Sequence, residues 1–335
     1  MALTSADILF RRSANMSDTA ATNGGRMASA ILTTGVKNAV FPDVRNAERI
    51  AGSDKWRKVF LHFAPVDSSQ ALDVKLVPWA PTVADDRVRV HLGTQSDVQT
   101  AIAATPGDAY GAANATAATL AAGATSVAVA LESAAEIIFR VGDAVYITDK
   151  ETIASPTGNE EYAVLDSVSV VGTTATLGFA APLSYAYAET PGVKIRVASV
   201  IPLGDVLPEV VAGTVTSAAG TFNETAIAVV PRSTIEDTWT ITFSSATVYA
   251  VSGVLTGAVG GGAVGTSFAP TNPEFGGAYF TLPAAAFGGT FAPGDTVTFA
   301  TRPAARGLWL RRIVPAGANS FSSNAFSLAV DCETA

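Results

Sequence analysis

The sequence predicts an all-β protein, and three observations carry that. Short runs alternate apolar and polar residues, as in Leu72-Asp73-Val74-Lys75-Leu76-Val77, the pattern of a strand with one buried face. Turn signals built from Gly, Pro, Asn and Asp separate these runs every 8–12 residues or so, roughly the spacing of a sandwich or barrel. Hydrophobic residues make up 48% of the 335 and charged residues only 15%. The usual charged share is about 25%, so the chain buries much of itself. Its length suggests two or three domains.

The first segment opens on Ala6-Asp7-Ile8-Leu9-Phe10-Arg11 and turns at Asn23-Gly24-Gly25. Trp56 to Phe63 alternates imperfectly, and Leu72 to Val77 alternates cleanly after a polar connection. Val88, Val90 and Leu92 mark a further strand. Residues 98–122 are rich in Ala and Thr, and alanine propensity predicts a short helix near 112–122. Strands follow at Thr125–Leu131 and at Phe139–Thr148. A hairpin turns about Gly172 between Glu161–Val171 and Thr173–Phe179, and Lys194–Ile201 closes the segment. In the third segment, Thr238–Phe243, Ala246–Val251, Tyr279–Leu282 and Asp295–Phe299 read as strands, and Gly253–Gly265 reads as a flexible loop. The string Gly294-Asp295-Thr296-Val297 echoes Gly142-Asp143-Ala144-Val145, because Gly-Asp suits a tight entry into a strand. Gly307 to Ala318 and Phe326 to Val330 are the last strands.

Charge divides the chain. Residues 1–100 carry 12 basic and 10 acidic side chains, residues 101–205 carry 4 and 11, and residues 206–335 carry 5 and 8. The acidic middle reads as a separate unit. The net charge of −8 argues against a nucleic-acid partner. No window approaches the ~18 apolar residues of a membrane span, so membrane insertion is not expected. The opening MALTSADILFRR puts its basic pair after a short apolar stretch, the reverse of a secretory leader.

Each chemical pattern fails a specific requirement. Gly260-Gly261-Gly262-Ala263-Val264-Gly265 fits G-x-G-x-x-G but runs toward Pro270 and Pro273 rather than into a helix. His62 and His91 are the only imidazoles and read as half-exposed strand residues; no G-x-S-x-G accompanies them. One cysteine, Cys332, excludes a disulfide scaffold. The acidic pairs Asp85-Asp86, Glu160-Glu161 and Glu236-Asp237 would point to opposite faces of a strand. No catalytic, cofactor-binding or metal-binding residue is assigned, no cofactor is expected, and the chain reads as a non-enzyme.

One cluster invites another reading. Arg302, Arg306, Arg311 and Arg312 surround Trp309, and Arg and Trp are enriched at interface hot spots. The alternative is an exposed edge with an arginine stacked on its own tryptophan. Alternation puts Trp309, Arg311 and Ile313 on one face and Leu310 and Arg312 on the other. One of the two arginines should therefore be paired within the chain or face a partner.

Two blocks carry a resemblance. The first runs Asn38-Ala39-Val40-Phe41-Pro42-Asp43-Val44, then Glu48-Arg49-Ile50-Ala51-Gly52, Trp56-Arg57-Lys58-Val59-Phe60-Leu61 and Leu72-Asp73-Val74-Lys75-Leu76. The second is Trp309-Leu310-Arg311-Arg312-Ile313-Val314-Pro315-Ala316-Gly317-Ala318 with Phe326-Ser327-Leu328. Together they resemble virion structural proteins encoded among the tail genes of tailed bacteriophages. Shorter members of that group join the two blocks almost directly, whereas here about 200 residues lie between them.

The resemblance implies an Ig-like or jelly-roll-like β-sandwich built from residues 1–98 and 303–335. An acidic β domain (99–205) and a Gly/Ala/Thr-rich β domain (206–302) would be inserted between them. It further implies a non-enzymatic tail-tip or baseplate component, made in the host cytoplasm and carried in the virion. Its partners would be copies of itself, in a ring or trimer, and neighbouring tail proteins, with a host-surface glycan as a further ligand. Trp309, Arg306, Arg311 and Arg312, with Trp56 and Arg57 of the first block, are the expected interface residues. Other assignments are a head decoration, neck or tail-tube protein, or a carbohydrate-binding adhesin module.

Overall fold

The computed structural model describes residues 3–67, 69–135 and 137–335. Met1 and Ala2, the first two of the twelve residues read for a leader, lie outside them. The fold is all-β, as the alternation predicts. Among the described residues the α-helices are two single-turn pieces, α1 (Asn46–Ala51) and α2 (Gln99–Ala104).

The first body is a sandwich of two sheets. Its strands are β1 (Ile8–Asn15), β2 (Gly24–Ile31), β3 (Ser53–Phe63), β4 (Ala71–Pro78), β5 (Arg87–Leu92), β6 (Ile201–Val206), β7 (Ala305–Val314) and β8 (Leu328–Thr334). One sheet runs β2-β1-β3-β7-β5 and the other β6-β4-β8. Val59, Leu61, Val88, Val90, Leu308 and Leu310 from the first sheet meet Val74, Leu76, Ile201 and Val206 from the second in one core. Strand β7 lies between β3 and β5 and is antiparallel to both. The far end of the sequence thus supplies a central strand to a sheet begun at its start.

The second body is a closed six-stranded barrel, in the order Glu160–Val171, Thr174–Phe179, Ser126–Ala130, Ala112–Ala115, Arg196–Ser199, Ala144–Thr148. Val129, Val145, Ile147, Leu177 and Val197 fill it. The expected helix near 112–122 is instead the strand Ala112–Ala115 and a short bridge at Thr119–Leu120. Ala113 and Ala115 are buried in the barrel, where packing overrides helix propensity. The barrel is shorter than the segment 99–205. The α2 residue Ile102 packs on Trp56 and Trp309, and β6 pairs with β4, so both ends of that segment belong with the first body.

The third body is a five-stranded sheet, Glu209–Thr216, Thr296–Arg302, Asp237–Phe243, Val248–Gly253, Gly257–Ala263. Its core is aromatic: Trp239, Phe243, Tyr249, Phe280, Phe291 and Phe299 are buried, and Phe243 stacks on Phe291 at 3.9 Å. The Gly253–Gly265 run, expected to be a loop, contains an edge strand. Its glycines permit close approach rather than freedom. A Cβ at Gly261 would lie 2.2 Å from the Tyr249 carbonyl oxygen, and one at Gly262 2.8 Å from the Tyr249 hydroxyl.

Candidate functional site

Strand period two sorts the residues around β7 into two faces. Leu308 and Leu310 enter the sandwich core. On the opposite face Trp309 stands across from Lys58 on β3 and His91 on β5. One step along, Arg311 stands across from Trp56 and Arg89. This second face is covered as well. The third body lies over Phe60 and His62, and the segment after β5 folds over Trp309. Both chain crossings at Trp309 need glycine: a Cβ at Gly93 would sit 2.7 Å from the indole, and one at Gly24 2.8 Å from it. Gly93→Ala is expected to cost about 1–3 kcal/mol by overpacking, read as a lower Tm; an unchanged Tm would show that the indole can tip aside.

The covered face is polar and fully built. Trp309 is 0% exposed and donates its indole N–H to Asp97 Oδ2 at 2.9 Å. Lys58, also 0% exposed, places Nζ 2.6 Å from Asp97 Oδ1 and donates to the Gly25 carbonyl at 2.8 Å. Its ammonium lies 4.9 Å from the Phe60 ring centroid, within cation–π range. Burial lowers the Lys58 pKa, against the opposing pull of Asp97. Buried Asn23 donates to the Trp56 carbonyl and to Gln99 Oε1, both at 2.8 Å, tying the turn after β1 to α2.

Every expected interface residue has a partner inside the chain. Trp56 lies edge-on to Trp309, with centroids 6.3 Å apart, and 5.1 Å from the His91 ring. Arg311 stacks over Trp56 at 5.1 Å and grips Asp54 through Nε at 2.9 and 3.0 Å. Arg57 donates to the Ser17 and Trp56 carbonyls and pairs with Asp18. Arg312 donates to the Pro42 carbonyl at 2.7 Å and stacks on Phe41. Arg306 donates to the Asp205 carbonyl. Trp309, Trp56, Arg57 and Arg312 are buried, and only Arg306 and Arg311 keep partial exposure. The reading of these six as a contact surface is therefore corrected for the four buried ones. The covering loops come from sequence positions that β-alternation does not link to them.

The histidines are also corrected. His62 is 0% and His91 2% exposed. Arg11 Nε donates to His62 Nδ1 at 2.8 Å, and a guanidinium can only donate. His62 Nε2 must then carry the proton and donate to the Pro231 carbonyl at 2.9 Å. This relay links β1, β3 and the third body. Burial lowers the His62 pKa to about 4.

One member of each of two acidic pairs holds a turn. Asp237 accepts from the backbone N–H groups of Thr238, Leu255 and Thr256, and Glu161 accepts from those of Ser184 and Tyr185 and from the Tyr187 hydroxyl. Among the described residues no three His, Cys, Asp or Glu side chains group as a metal site, and no helix is long and apolar enough to cross a membrane. Lys58 and Asp97 are the site residues that sequence reading missed. Trp56, Lys58, Phe60 and His62 share one strand face, and a lysine amid three aromatic side chains is the signal that a carboxylate must reach it.

Compared with known proteins, the chain matches no family model and no curated sequence.

Proposed function

We propose that the protein is a non-enzymatic structural component of a tailed-bacteriophage virion, at the tail tip or baseplate. In this reading it assembles with copies of itself in a ring or trimer and with neighbouring tail proteins. One observation carries the reading: the two blocks that resemble phage tail proteins lie side by side. Strand β3 of the first block pairs along its length with β7 of the second, from Ala305↔His62 to Val314↔Ser53, although some 240 residues separate them in sequence. The barrel and the third sheet then stand as additions to a shared core.

Surface features support assembly. The strand Gly257–Ala263 forms one edge of the third sheet and has neither charge nor proline, the devices that keep free edges unpaired. At the tip of the long barrel hairpin, Val170 and Val171 are 47% and 79% exposed. A neighbouring subunit would cover both.

Immunogold electron microscopy of phage particles, with antibody against residues 99–302, tests the reading. Label at the tail extremity is the expected result. Label on heads or along the tube would move the protein to the decoration, neck or tube class. Absence of label from every particle would overturn the virion assignment, and a glycan array would then test the adhesin reading.

A further inference from the structure

Lys58 and Asp97 form more than a charge pair. Lys58 has no exposed surface, and the Asp97 side chain is 11% exposed. Nζ lies 2.6 Å from Asp97 Oδ1, yet Oδ1 makes no aligned hydrogen bond. The amine therefore reaches the carboxyl group at contact distance from a direction outside the hydrogen-bonding range. Both ends are fixed. Lys58 sits mid-strand on β3, which pairs on both sides, and the Asp97 carbonyl accepts from Gly25 N at 2.9 Å. The second carboxyl oxygen, Oδ2, accepts from the Trp309 indole N–H at 2.9 Å. Aromatic surface from Phe60 and Trp309 lies beside the amine.

We propose that Lys58 and Asp97 become joined by an intramolecular isopeptide bond. Proton transfer from the ammonium to the carboxylate leaves a free amine beside a carboxylic acid. Burial narrows the gap between that neutral pair and the ion pair, because isolated charges are costly away from water. The amine lone pair attacks Asp97 Cγ, forming one C–N bond. Negative charge develops on Oδ2, where the Trp309 N–H already points, as an oxyanion donor does. A proton passes from the nitrogen to the departing hydroxyl. One C–O bond breaks and one water leaves, so amine and acid become amide and water without oxidant, metal or cofactor. The amide keeps one N–H, and the Gly25 carbonyl, 2.8 Å from Nζ, is placed to accept it. Holding both reactants at contact distance replaces a bimolecular encounter with a step inside the fold.

The bond would tie β3 to the loop that closes over Trp309. Such a strut would keep the central sheet together under load, and it does not depend on which assembly the chain joins.

Intact mass spectrometry of the denatured full-length chain tests this. The wild-type mass is compared with that of Asp97→Ala and of Lys58→Arg, so that N-terminal processing cancels. The expected wild-type mass is one water below the mass its sequence requires, with both variants at full sequence mass. A tryptic digest should yield a branched peptide joining the segments around 58 and 97. Because the wild-type mass is decisive alone, misfolding of a variant does not blunt the test. A wild-type chain at full sequence mass, or a water loss mapped to an Asp97 succinimide or to another residue, overturns the proposal.

Discussion

Trp309→Ala should destabilise the chain by about 3–5 kcal/mol, the usual cost of emptying a fully buried large aromatic site. The indole is 0% exposed and packs on Trp56 and Ile102, so little of the cavity can refill without moving the central sheet. The substitution also leaves Asp97 Oδ2 without its donor, beside a buried lysine. Urea unfolding of the isolated chain measures this directly. Trp309→Phe helps to separate the contributions: it keeps most of the apolar volume but loses the N–H and part of the ring system, for a cost nearer 1–3 kcal/mol. A surface role predicts the opposite pattern, with unchanged stability and impaired assembly. If Trp309→Ala unfolds at the wild-type urea midpoint, the cover over the indole is not closed in solution.

The same residue marks how far the sequence could be read. Alternation identified β3, β4, β5 and β7, because each has a face in the sandwich core. It also put Trp309 and Arg311 on one face of β7 and Arg312 on the other, so that one of the two arginines had to be paired within the chain or face a partner. What covers the Trp309 face was not legible. Asp97 lies 212 residues from Trp309, and no local pattern links them. The imperfect alternation of Trp56 to Phe63 now has a physical cause. That stretch is buried on both sides, and strands buried on both faces lose clean polar–apolar alternation. The outer side can hold Lys58 and His62 only because Asp97, Arg11 and Pro231 arrive from elsewhere. Composition misled in two places for one reason. Ala112–Ala115 and Gly257–Ala263 look like helix and loop by residue type, but their small side chains serve close packing between strands. Local preference is a weak signal once tertiary contacts dominate.

Acidification should weaken the chain through His62. Its folded-state pKa is depressed to about 4 from an ordinary 6.5, chiefly because burial disfavours the imidazolium and, to a lesser degree, because Arg11 is adjacent. Between these two values the unfolded chain binds the proton and the folded chain does not, so stability falls as pH drops from about 6.5 to about 4. The shift corresponds to about 3 kcal/mol over that window, with no further loss from this group below it. His91 is shifted in the same direction by its own burial. The loss has a place in the fold: a protonated Nδ1 can no longer accept from Arg11, and two cations would then share the junction between β1, β3 and Pro231 of the third body. Paired carboxylates such as Asp18 and Glu161, whose pKa values are lowered, lose their contributions mainly below about pH 4, so the two effects separate along the pH axis. His62→Gln cannot titrate, and its side-chain amide can accept from Arg11 and donate to Pro231. Urea unfolding at pH 7 and pH 4.5 should therefore show a smaller acid-induced loss for His62→Gln than for wild type, by about 2–3 kcal/mol. Equal losses in the two proteins would mean that His62 is protonated, or open to water, in the folded chain.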